Sequence, residues 1–336
     1  MSPRVGLVLG AGGVVGQAYQ AGVLTSLAHD LGWDPRTAEV VVGTSAGSVT
    51  ATLLRLGVSA SDLAAGAVEA PLSDEGAPVI EELRGDPPAI PPPTWRNVAR
   101  PWRPPSPSLL VRNLRRPWAF RPSVAALTLM PAGTVDIERQ AEALAEATEG
   151  APWPERLWIC TVRRRDGARV VFGRPGAPSA PLSKAVLASC AIPGYFRPIG
   201  IDGEEHLDGG VHSSTNADVL RDEGLDLVIV VASMSVAGGW AAVPDVLLRR
   251  GVHRRLDREL SRLRRAGTTV VRIEPGPRVL RAMGVNAMAD GRGADVVREA
   301  FLDTGRRTSQ PEVAARLASL SPQAARRNQT GASAAT

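Results

Sequence analysis

Apolar residues fall along this chain in two kinds of run. Short unbroken runs closed by glycine or polar residues stand at 4–9 (RVGLVL), 39–43 (EVVVG) and 226–233 (DLVIVVAS). Runs of that length and β-branched content read as strands of a parallel sheet, covered on both faces. Between them the apolar positions turn periodic. Tyr19, Val23, Leu24, Leu27 and Leu31 recur at helical spacing from about Gln17 to Leu31. SVTATLLRLG at 48–57 is a helix stopped by Gly57, and SASDLAAGAVEA at 59–70 is another with Ser59 or Ser61 as its cap. Strands alternating with helices predict an α/β fold whose central sheet is mainly parallel and flanked by helices.

The second half continues the alternation. A helix is predicted over 134–149, and RLWICTV and ARVVFG are paired strands around a turn at Arg165-Asp166-Gly167. LSKAVLASCA is helical, IPGYF is a turn, and RPIGIDG and EEHLDGG are short strands. A long basic amphipathic helix follows at 243–267, then the strand TTVVRIEP, then helices over 294–309 and 311–320. One domain over 1–320 is expected, with a helical extension from about 240. Residues 321–336, rich in Ala, Ser, Gln and Thr, read as a disordered tail.

Residues 84–122 break the rhythm, because proline at their density forbids regular helix or sheet. Trp95, Trp102, Trp118 and Phe120 are interleaved there with Arg96, Arg100, Arg103, Arg112, Arg115, Arg116 and Arg121. Tryptophan beside arginine suits the head-group depth of a membrane, so peripheral membrane contact through 84–122 is one expectation. The other is a surface excursion whose tryptophans pack on the domain. The net charge of +5 is carried almost wholly by arginine, and Lys184 is the only lysine. Without a reader motif this does not point to nucleic acid. Cys160 and Cys190 stand in no metal-ligand spacing and read as buried thiols of a reducing, cytoplasmic setting. The opening MSPRVGLVLG serves better as first strand and turn than as a leader.

The chemistry concentrates in two glycine-rich turns. GAGGVVG at 10–16 follows the first strand and opens a helix, so it presents backbone N–H groups and a positive dipole end to an anion. A dinucleotide pyrophosphate and an acyl oxyanion both fit that description. The dinucleotide reading, an oxidoreductase, needs tighter glycine spacing and an acid closing the second strand. Here Glu39 precedes that strand, which instead ends in GTSAG. G-x-S-x-G between strand and helix is the setting of a nucleophile elbow, with Gly43 and Gly47 permitting the sharp turn and Ser45 at its tip. Asp208 ends a short strand before Gly209-Gly210, and a carboxylate held dry can take a serine proton directly. His206 or His212 completing a triad is the competing arrangement.

GAGGVVG, GTSAGS, ASCAIPGYFRPI and LDGG, in that order, resemble the ordered blocks of the patatin-like phospholipases, and the likeness spans most of residues 4–235. The resemblance implies a three-layer α/β architecture and a Ser–Asp dyad, with Ser45 as nucleophile and Asp208 as base. It also implies an oxyanion hole from the N–H groups of Gly12, Gly13 and Val14, supported by Gly10, Gly16, Gly209 and Gly210. The substrate implied is a lipid or other acyl ester, with no metal or organic cofactor. The family's glycine loop commonly carries Arg or Lys where this chain has Val15, which bears on head-group preference. A catalytically idle lipid-binding protein of the same fold is the alternative.

Overall fold

The computed structural model describes residues 3–83, 132–236, 246–289 and 291–320. The 84–122 insert and the 321–336 tail therefore lie outside the described residues. Among the described residues, eight strands form one sheet: β1 (Val5–Leu9), β2 (Val40–Gly43), β3 (Leu157–Arg163), β4 (Arg169–Phe172), β5 (Ile199–Ile201), β6 (Glu204–Asp208), β7 (Leu227–Val231) and β8 (Thr269–Ile273). The order is β5-β6-β3-β2-β1-β7-β8, with β4 also on β3. The pairs β1–β2, β1–β7, β2–β3 and β7–β8 are parallel, and β3–β4, β3–β6 and β5–β6 are antiparallel. The sheet is mixed and mostly parallel, the middle layer of three.

Alternate strand residues feed two cores. Val5, Leu7 and Leu9 face α1 (Gly13–Leu31), α2 (Ala46–Arg55) and α6 (Leu182–Cys190). Val8, Val42, Trp158, Val228 and Val230 face the other way, onto Leu256, Leu260 and Leu263 of α7 (Val246–Arg265). That double burial is why these strands read as unbroken apolar runs. Ser59 caps α3 (Ala60–Ala67) by accepting the Asp62 N–H. α4 (Gly76–Leu83) and α8 (Pro277–Met283), absent from the sequence reading, precede and follow their neighbours as short turns of helix. From 246 on, the described residues are mostly helical around β8, which extends the sheet at β7, and α9 (Gly293–Thr308) packs on α1. α10 (Pro311–Leu317) follows.

The helix expected over 134–149 is a correction. Val135 instead bridges Phe196, residues Glu138–Ala141 form a 3-10 turn, and only α5 (Glu142–Ala147) is α-helical. The Val135 bridge and the Thr134 and Val135 N–H bonds to Tyr195 hold the segment extended where its composition favours helix.

Pairing register does the work of assembling the site. Ile159 pairs with Gly43 on one edge and Phe172 on the other, while Thr161 pairs with Val170 and Asp208. Since β4 supplies both Phe172 and Val170, β6 must share β2's edge of β3. β2 runs parallel to β3 and β6 antiparallel, so their C-terminal ends point at each other. Gly43 and Asp208 end up opposite β3 positions only two residues apart, 159 and 161.

Candidate active site

Ser45 follows β2 and caps α2 with φ 54 and ψ −124, a region that costs a non-glycine residue about 1–3 kcal/mol. Crowding forces the turn. A Cβ on Gly43 would stand 2.5 Å from Ser48 Cα, and one on Gly47 would stand 2.0 Å from the Leu9 carbonyl oxygen. The Ser45 N–H donates to Ser189 Oγ at 2.8 Å, and Ser189 donates to the Cys160 carbonyl at 2.8 Å. Gly47 N–H and Ser48 N–H donate to the carbonyls of Thr44 and Ser45, closing the elbow.

Asp208 ends β6 facing that serine, and both are buried. Its carboxylate accepts the Gly210 N–H at 2.6 Å, and the nearby Ser45 hydroxyl favours its charged form. Burial pushes its pKa up to about 6, which the Gly210 N–H and the nearby Ser45 hydroxyl only partly offset. The glycines after it are steric requirements. A Cβ on Gly209 would lie 2.2 Å from the Cys160 carbonyl oxygen, and one on Gly210 would lie 2.9 Å from the Asp208 carboxylate.

The first glycine turn closes the third side. Gly13 opens α1 at φ 62, and the Ala11 N–H donates to the Ser214 carbonyl at 2.7 Å, tying this turn to the Asp208 loop. Gly10 fits between the carbonyls of Ser214 and Val231, and Gly12 and Gly16 lie against Ser233. Among the described residues, the N–H groups of Gly12, Gly13 and Val14 find no acceptor. At the start of a 19-residue helix they are ready for an anion. The Val15 N–H differs, donating to the Ala287 carbonyl at 3.2 Å. The Val15 side chain is 3% exposed within the core. A charge at 15 would therefore be buried.

Elsewhere the rival arrangements find their groups engaged. His206 Nδ1 meets Thr161 Oγ1 at 3.1 Å and His212 Nδ1 meets Asn216 Oδ1 at 3.1 Å, while the group beside the Ser45 hydroxyl is the Asp208 carboxylate. Glu39, the acid nearest the second strand, forms ion pairs with Arg4 and Arg156 at the strand's start. Burial, with the Asp208 charge second, pushes the Cys190 thiol up to about 12, so it stays neutral beside Ser45 and Ser48. No group of His, Cys, Asp or Glu among the described residues could hold a metal ion.

Three buried polar residues shape this site, and spacing did not single out any of them. Ser189 anchors the elbow. Asn216, left-handed at φ 53, donates from Nδ2 to Thr44 Oγ1 at 3.1 Å, to the Gly209 carbonyl at 3.3 Å and to the Ser213 carbonyl at 2.7 Å. It thereby joins the elbow to the Asp208 loop. Gln20 joins the glycine turn to α2, donating to the Gly10 carbonyl at 2.6 Å and accepting from Thr50 at 2.7 Å. Asparagine's tolerance of left-handed backbone was the one available signal, in HSSTNAD.

A family model, Patatin-like phospholipase, matches residues 7–221. Among solved structures, VipD from Legionella pneumophila is similar at 14% identity and a TM-score of 0.41. The match covers 90% of this chain and 66% of that one, so this chain spans just under two thirds of that structure. No helix among the described residues is long and apolar enough to cross a membrane.

Proposed function

The chain belongs to the patatin-like phospholipase family, and we propose that it is a serine acyl hydrolase cleaving carboxylic esters of lipids through an acyl-Ser45 intermediate. The observation that carries this reading is a serine at φ 54, at a strand-to-helix elbow, beside a buried carboxylate whose charged form its hydroxyl favours. Asp208 accepts the Ser45 proton as Oγ adds to the ester carbonyl carbon. The carbonyl oxygen becomes an oxyanion and is taken by the N–H groups of Gly12, Gly13 and Val14, which lack another acceptor among the described residues. The intermediate then collapses, the bond to the alcohol oxygen breaks, and Asp208 returns the proton to the leaving alkoxide. Water completes the cycle by the same route. Asp208 takes its proton, the oxygen adds to the acyl carbon, and Ser45 leaves with the proton as the carboxylic acid departs. A carboxylate with a pKa of about 6 is a stronger base than an exposed aspartate and is still mostly ionised at neutral pH.

A fluorophosphonate probe with a p-nitrophenyl ester series tests this. Labelling and hydrolysis are expected in the unaltered protein and absent in Ser45→Ala. Neither activity in the unaltered protein would leave a lipid-binding protein of the same fold. Contact with a lipid surface is assigned to 84–122, on its tryptophan and arginine content. Trp102→Ala with Trp118→Ala should weaken vesicle binding and spare a short soluble ester; equal losses on both would make the segment ordinary structure.

A further inference from the structure

The loop at 284–289, between α8 and α9, lies beyond the matched residues 7–221. It holds its own shape: Asn286 Oδ1 accepts the Met288 N–H at 3.0 Å, and the Asn286 carbonyl accepts the Ala289 N–H at 3.2 Å. Ala287 and Ala289 pack on the core. At its centre the Ala287 carbonyl accepts the Val15 N–H at 3.2 Å. The same oxygen sits 2.4 Å from where a Cβ on Gly13 would be. The loop thus rests directly on the turn whose N–H groups would take the oxyanion.

It also leaves Val285 65% exposed. Val14, beside Gly13, is 38% exposed, and Ile192 is 37% exposed next to Ala191, whose carbonyl accepts the Asp208 N–H at 2.9 Å. These are three of the five exposed large apolar side chains among the described residues. One exposed valine needs no explanation, but three stand on segments hydrogen-bonded to the dyad or to the oxyanion turn. The loop sequence, Gly-Val-Asn-Ala-Met-Ala, carries no charge and offers a phosphate or ammonium head group no ionic partner.

We propose that loop 284–289 is a wall of the acyl site, with Val285, Val14 and Ile192 seating the hydrocarbon chain of the ester. This rests on the acyl-hydrolase reading, since the chain attached to the reacting carbonyl is the part of the substrate that must lie beside the oxyanion turn. Chain-length preference is then set in part by a segment beyond the stretch that carries the nucleophile and base. The test compares kcat/KM for p-nitrophenyl decanoate and p-nitrophenyl acetate in the full chain and its Val285→Ser variant. Expected is a loss of about tenfold on decanoate, the ratio that burial of one valine side chain commands, with acetate within about twofold. Val285→Leu should hold or raise the decanoate-to-acetate ratio. An active unaltered enzyme whose ratio is unmoved by Val285→Ser, or equal losses on both esters, overturns this inference alone. Absence of Ser45-dependent labelling and hydrolysis in the unaltered protein overturns the acyl-hydrolase reading and this inference with it.

Discussion

Replacing Asp208 with Asn should make the protein more stable as it becomes inactive. The amide keeps the shape and can still accept the Gly210 N–H, which now stands 2.6 Å from the carboxylate. What it removes is a buried charge. Burial raises the Asp208 pKa from 3.8 to about 6, roughly two units at about 1.4 kcal/mol each, or about 3 kcal/mol. The sign follows from proton uptake. Between about pH 4 and 6 the folded protein holds a proton that the unfolded chain has released, so stability falls as pH rises through that window. Above it the native protein carries the whole cost, and the Asn variant none. The stability difference in favour of Asp208→Asn should therefore grow by about 3 kcal/mol from about pH 4 to pH 7.5, read by urea unfolding. Hydrolysis of p-nitrophenyl acetate should fall on the order of a thousandfold, as losses of single members of such units do. A variant that keeps more than about a tenth of the rate would remove Asp208 as the base. A stability difference that stays constant between the two pH values would remove burial as the source of its raised pKa.

The same titration should appear in kinetics. kcat/KM should rise with unit slope through about pH 6 and then level, because only ionised Asp208 accepts the Ser45 proton; a midpoint near 4 would mean a solvated carboxylate. Asn216→Ala removes the donors to Thr44, Gly209 and Ser213, and should cost about 2–4 kcal/mol of stability. It should also lower kcat about tenfold or more with KM nearly unchanged, since it aligns nucleophile and base rather than binding ester; a pure KM effect would contradict that role. Val15→Arg should lower stability by several kcal/mol, read by thermal melting, because it buries a guanidinium in the core. A stable variant with altered head-group selectivity would show that the side chain at 15 reaches the substrate.

The strands β1, β2 and β7 were legible in the sequence because burial on both faces leaves an unbroken apolar run, and α1 was legible because its large side chains Tyr19, Val23, Leu24 and Leu27, all buried, recur at helical spacing. The glycines at 43, 47 and 209 were legible for a related reason: each stands where a Cβ would strike a backbone atom of another segment, and only glycine is tolerated there. The 134–149 segment was misread because its helix-favouring composition is local, while the contacts of Thr134 and Val135 are with Tyr195 and Phe196 some 60 residues away.

Sequence by itself determined the alternating α/β pattern, the elbow around Ser45 and the glycine turn, each a property of neighbours along the chain. Tertiary structure alone decided that β6 enters the same edge of β3 as β2 and runs against it, bringing Asp208 to Ser45. It also decided which polar groups hold that meeting in place, Ser189, Asn216 and Gln20 among them, and which carbonyl takes the Val15 N–H. The physical reason is range. Periodicity and backbone strain are written within a few residues, whereas a buried hydrogen bond or a desolvated carboxylate exists only once segments distant in sequence exclude water between them.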